Sequence, residues 1–177
     1  MKRPKRTTII FSDKDREYVE GLISQGREQS LTALISKIFD VYRSLAIHDW
    51  KYPGEYYVGP SRVSLFSQEA LNAMLGFIPE KERLSVGRSV GEVMGLAITT
   101  NFKLEPQDRE NWPEVLKHMS ILGYGDFTLR ENLIIIKNPF VTDTDLLAGI
   151  LEGLIGKNIK VITALPAVFE VTDRPLR

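Results

Sequence analysis

Lys5-Arg6-Thr7-Thr8-Ile9-Ile10-Phe11-Ser12 is the stretch whose reading decides the fold. From Arg6 it alternates with a period of two, the signature of a strand. Arg6, Thr8 and Ile10 share one face; Thr7, Ile9 and Phe11 share the other, which carries the larger apolar groups and is the natural core side. A strand this short cannot stand alone, because its backbone groups need a partner. The chain turns helical at Ser12, so no adjacent hairpin supplies one, and a second subunit is the expected source.

Working outward, Ser12 is an N-cap, with Asp13 and Asp15 placed to favour the helix dipole. Tyr18, Val19, Leu22 and Ile23 give one apolar face over residues 13 to 25, and Gly26 is a stop signal. Ser30 caps a second helix whose apolar residues, Leu31, Leu34, Ile35, Ile38, Phe39, Tyr42 and Leu45, hold helical spacing over four turns. Strand, helix, turn and helix in under 50 residues are too small to bury both helices in one chain. An intertwined dimer is therefore expected. Upstream, Lys2, Arg3, Lys5 and Arg6 stand with no acid before Ser12, so a basic tip precedes a chain whose formal net charge is zero. That balance argues against coating nucleic acid over the whole surface and allows a local basic patch.

The stretch from Lys5 to Ser12, the helix of 13 to 25, Gly26 and the Ser30-capped helix resemble a ribbon-helix-helix DNA-binding domain of the Arc/MetJ type. The resemblance implies two strands paired antiparallel in the major groove of double-stranded DNA. By position, Arg6, Thr8 and Ile10 would read base edges, Arg6 by a bidentate bond to guanine. Ile10 replaces the usual polar group and could touch only thymine methyls. Lys2, Arg3, Lys5 and the backbone amides at Ser30 and Leu31 would hold phosphates. The alternative for the same residues is a module that only dimerises the chain.

Three stretches follow the pattern: a first domain of residues 1–47, an aromatic-rich connector of 48–60 and a second domain of 61–177. The connector is expected to pack on one of the domains. In the second domain, residues 62–66 read as a strand and Ser67 caps a helix ended by Pro79. A long helix then runs from Glu80 to about Asn101. A helix starts at Trp112-Pro113, a hairpin joins residues 125–130 to 133–137, a helix runs from Asp143 to Gly156, and two strands flank Pro166. Glu152 is expected to point away from the apolar face of its helix. The class is α+β with an antiparallel sheet. Gly87, Gly91 and Gly95 recur every four residues on the long helix, and Gly149 and Gly153 flank the face of the last one. Each mid-helix glycine costs about 1 kcal/mol relative to alanine, so something approaches both backbones closely: a second helix, a ligand or another subunit.

Val86-Gly87-Arg88-Ser89-Val90-Gly91, Leu122-Gly123-Tyr124-Gly125 and the glycine-containing helix of residues 147–156 resemble the 4-vinyl reductase-like domain, related to heme-NO-binding and Bet3-like domains. The resemblance implies a small hydrophobic ligand. It implies no reductase chemistry here. The chain has no cysteine, which removes thiolate metal sites and cysteine nucleophiles and fits a reducing cytoplasm. No catalytic constellation, cofactor fingerprint or metal-ligand spacing appears, and His48 and His118 lie in different segments. No apolar run is long enough for a membrane span. The expectation is a non-enzymatic regulator, a homodimer or higher homo-oligomer, with a ligand-sensing or assembly domain. The alternative is a carrier or scaffold that uses its first unit only to dimerise.

Overall fold

The computed structural model describes residues 8–58 and 61–175. Contacts divide the chain into two units, meeting between His48 and Asp49.

In the first unit, Ser12 Oγ accepts from Asp15 N at 3.2 Å and opens helix α1, Asp13–Ser24. Gly26, at φ 69°, ends it: Arg27 N donates to Leu22 O at 3.0 Å and Gly26 N to Ile23 O at 3.0 Å. This is the Schellman pattern, in which a left-handed residue lets the chain satisfy the last carbonyls. Ser30 Oγ accepts from Ala33 N at 3.2 Å and opens α2, Leu31–Ser44. A Glu28–Lys37 ion pair at 2.6 Å ties the connecting loop to α2. Neither helix has a single buried residue.

The second unit begins inside the aromatic-rich segment. Strand β1, Tyr56–Val58, pairs antiparallel with β2, Ser61–Val63. Trp50 Nε1 donates to Tyr57 O at 2.7 Å, and the Trp50 ring sits edge-on to Tyr56. The expected strand at residues 62–66 is thus displaced: it ends at Val63 and belongs to a hairpin with the segment read as a connector. Helix α3, Gln68–Leu75, is capped by Ser67 and stops at Gly76, before Pro79. Pro79 instead stands at the N-cap of α4, Glu80–Phe102, which ends at Lys103 in the left-handed region. Then come α5, Trp112–Ile121, and the hairpin of β3, Asp126–Arg130, with β4, Leu133–Lys137. Helix α6, Thr144–Ile155, is capped by Asp143 and closed by Gly156 at φ 67°. Strands β5, Lys157–Thr163, and β6, Ala167–Pro175, complete an antiparallel sheet of order β3-β4-β6-β5.

The fold is α+β with antiparallel sheets. Its core lies where α5 and α6 meet β4 and β6, through Val115, Met119, Leu147, Leu151, Ile134, Ile136 and Phe169. Every residue of α6 from Leu146 to Ile155 is buried. A helix apolar all round belongs in an interior, and α6 is the centre of this unit. Glu152, expected to point outward, is only 3% exposed. Its Oε2 accepts from Arg88 Nε on α4 at 2.6 Å, and its Oε1 accepts from Ile159 N on β5 at 2.9 Å. The carboxylate is buried because both oxygens have donors, one of them charged.

Candidate functional site

Three places answer to the residues singled out in the sequence. The first is the start of the first unit. Lys2, Arg3, Lys5 and Arg6 lie outside the described residues. Residues 8–12 form no strand within the single chain. Thr8 is exposed, Ile9 is largely so, and Ile10 is 92% exposed, while Phe11 is half-buried. Leu31, the first residue of α2, is exposed beside the cap at Ser30. Ile38, Phe39 and Tyr42 also stand in solvent, together with Val41, which the helical spacing had not placed in the apolar series. Large apolar side chains on two consecutive turns of a small unit form the kind of patch that marks an interaction surface.

The second place is the glycine stripe. Helices α4 and α6 run parallel and touch backbone to backbone. A Cβ built on Gly87 would lie 3.0 Å from Gly149 Cα, and one on Gly149 would lie 2.9 Å from Gly87 Cα. A Cβ on Gly91 would lie 2.8 Å from Leu154 N, and one on Gly153 would lie 2.9 Å from Glu92 N. Each would also drive into a carbonyl oxygen of the facing helix: Leu146, Ile150, Leu84 and Arg88 for Gly87, Gly91, Gly149 and Gly153. What approaches these four glycines is the other helix of the pair. Gly95 differs: its nearest neighbours, Leu154 O at 3.6 Å and Leu154 Cδ1 at 3.8 Å, are at ordinary contact distance. No ligand-sized space separates the two stripes at Gly87, Gly91, Gly149 and Gly153.

The third place is a cavity of about 120 Å³ under the β1–β2 hairpin. Val58 and Val63 close it from the hairpin; Met94, Ala97 and Phe102 line it from α4; Tyr124 lines it from the turn after α5. Gly123 at φ 86° and Gly125 at φ 140° carry Tyr124 through that turn. Tyr124 N donates to Met119 O and Tyr124 O accepts from Phe140 N, both at 3.1 Å, so the backbone is held on both sides. Burial raises the pKa of the Tyr124 phenol above its usual value, keeping it neutral. The cavity's lining is mostly apolar, and a space of this order matches a small ring-sized apolar molecule. Sequence reading missed it because its walls come from three separate segments, and only Gly123 and Gly125 were signals of its position.

Next to it, His118 stacks on Phe102 with centroids 4.0 Å apart. Burial lowers its proton affinity, with Glu114 opposing and Lys117 assisting. Among the described residues, no group of three or more His, Asp or Glu side chains could hold a metal ion, and no helix is long and apolar enough to cross a membrane. Compared with family models, with curated proteins and with solved structures, the chain gives no significant match.

Proposed function

We propose that this chain is a dimeric, non-catalytic DNA-binding regulator. The stretch from Arg6 to Phe11 pairs with its copy and enters the major groove, and the second unit senses or assembles. The observation that carries the reading is the first unit's lack of any buried helical residue, despite a continuous apolar series on α2. Such a unit gains stability only by covering Ile38, Phe39 and Tyr42, and a second copy covers them symmetrically. Once paired, the two basic tips stand together, and phosphate attraction is the largest sequence-independent term in binding of this kind. Arg6, Thr8 and Ile10 then read bases, and Lys2, Arg3, Lys5 and the amides near Ser30 and Leu31 hold phosphates.

The test is selection of bound duplexes from a random pool by the purified chain, followed by titration at several salt concentrations. Affinity should fall steeply with salt. Arg6→Ala should cost about 1–3 kcal/mol for the selected sequence and relax preference at one base position. Sequence preference unchanged in that variant would remove Arg6 from the role.

The cavity at Tyr124 favours a second reading, a carrier or scaffold for a small apolar molecule, with the first unit serving only to dimerise. Native mass spectrometry of gently purified protein separates the two: a retained small molecule without selection of any DNA sequence supports the carrier. If ligand and DNA both bind, each changes the other's affinity by the same factor.

A further inference from the structure

Helix α4 is apolar on two sides. One side is the glycine stripe against α6. On the other, Val90, Val93 and Leu96 are 39%, 69% and 70% exposed. At 100° per residue these three share a sector with Glu82, Val86, Ser89, Ala97 and Thr100. Between Glu82 and the helix end that sector holds no charge. The other charged residues of the helix, Glu80, Lys81, Arg83, Arg88 and Glu92, project elsewhere on the same wheel. A solvent-facing helix normally shows its charges on the outer face, so this face is built to be covered.

We infer that it is covered by the same face of a second copy of this chain, with the two α4 helices antiparallel about a two-fold axis at Val93. A two-fold contact requires that residue i meet j and that j meet i. About Val93 the sequence satisfies this. Val90 meets the copy's Leu96 on each side of the axis, and Val93 meets its own copy. The arrangement also brings Glu82, near one end of α4, beside Lys103 at the other end of the copy. Neither side chain has an ion-pair partner among the described residues. The helix dipoles run opposed, which adds to the attraction.

The size of the face sets a condition. From Glu82 to Lys103 a helix runs about 32 Å, and its width is about 10 Å, so the face covers roughly 320 Å² per chain. A stable interface buries about 800 Å² per partner. The α4 contact is therefore too small to hold free chains together. It forms between copies already tethered, where the effective concentration is on the order of millimolar. In this respect the inference rests on the proposed pairing of the first units.

The chain has no native cysteine, so single cysteines report the contact directly. Val93→Cys and Glu92→Cys are made in the full chain, the second being one residue along and off the face. Each is oxidised under mild conditions, and covalent dimer is followed over time. A disulfide needs Cβ atoms about 3.5–4.5 Å apart, so Val93→Cys should cross-link about tenfold faster than Glu92→Cys, which has only the tether to bring it close. Equal rates in a chain that light scattering shows to be dimeric overturn the α4 contact and leave the pairing of the first units standing. A chain that is monomeric at every concentration overturns both. Loss of the Val93→Cys advantage when Ile38→Asp is added confirms the dependence on the first unit; retention of it shows that α4 associates unaided and overturns the area argument.

Discussion

Gly91→Ala and Gly95→Ala change the same helix by the same methyl group, four residues apart, and should act in opposite directions. At Gly95 the new Cβ meets nothing nearer than 3.6 Å. Alanine there gains helix propensity, up to about 1 kcal/mol, and restricts the unfolded chain. At Gly91 the same atom lies 2.8 Å from Leu154 N and 2.9 Å from Ile150 C, against the 3.4 Å at which ordinary contact begins. Those two atoms alone require α4 and α6 to part by about 0.5 Å, and the Ile150 carbonyl oxygen requires more. Because the obstructing atoms are backbone, no side-chain rotation relieves the clash. Overpacking of this kind costs about 1–3 kcal/mol, occasionally more, and here the displaced helix is the centre of the core. The net effect at Gly91 should therefore be a loss of up to about 2 kcal/mol after the propensity gain is subtracted, against a gain at Gly95. The chain's two tryptophans, Trp50 and Trp112, both lie in the second unit. Tryptophan fluorescence during urea unfolding of the full chain thus reports that unit alone. A Gly91→Ala protein as stable as the Gly95→Ala protein would refute the backbone contact.

Three further outcomes follow from other groups. Arg88→Met leaves the Glu152 carboxylate buried without its partner and should cost about 3–5 kcal/mol; adding Glu152→Gln should restore much of this, since the neutral amide still offers an acceptor to Ile159 N–H, and paired urea titrations measure both. His118 resists protonation when folded. Its contribution to stability is full above the unfolded value of about 6.5 and is lost as the pH falls through the folded value. Thermal unfolding followed from neutral to mildly acidic pH should show that decline, and His118→Phe should flatten it. Ile38→Asp should weaken or abolish dimerisation of the full chain in sedimentation equilibrium while leaving the tryptophan-monitored transition unchanged; an unaltered dimer would move the interface away from α2.

Local chemistry made much of this fold legible. Ser12, Ser30 and Ser67 each cap the helix expected of them, the last helix starts just after Asp143, and Gly26 and Gly156 each close one. These are short-range hydrogen bonds, and a sequence window contains both partners. The β1–β2 hairpin was not read, because strands of three residues are too short to display a period of two, and because the segment's aromatics resembled a packed connector. Glu152 was misplaced for a different reason. A charged residue among apolar ones reads as solvent-facing unless its partner is known, and Arg88 stands 64 residues upstream. The cavity at Tyr124 escaped for the same cause: nothing local joins Val58, Met94 and Tyr124 until the chain has folded. As for the candidate DNA-contacting side chains, the basic residues are legible as charge, whereas their placement on an operator depends on a second chain.

The even spacing of the glycines carries one more consequence. Five glycines at intervals of four make a track, and α6 could slide along α4 by one turn, about 5.4 Å, without losing it. Gly149 would then face Gly91, and Gly153 would face Gly95, which is otherwise a glycine with room to spare. The glycine contact between α4 and α6 alone hardly tells the two positions apart. Charge does. In the shifted position Glu152 would leave Arg88 and meet Glu92, setting a second carboxylate beside the buried one, and Asp143 would leave Arg83 for Gly87. The smooth track lets the helices come close; the two arginines act as the detent that stops them at one notch.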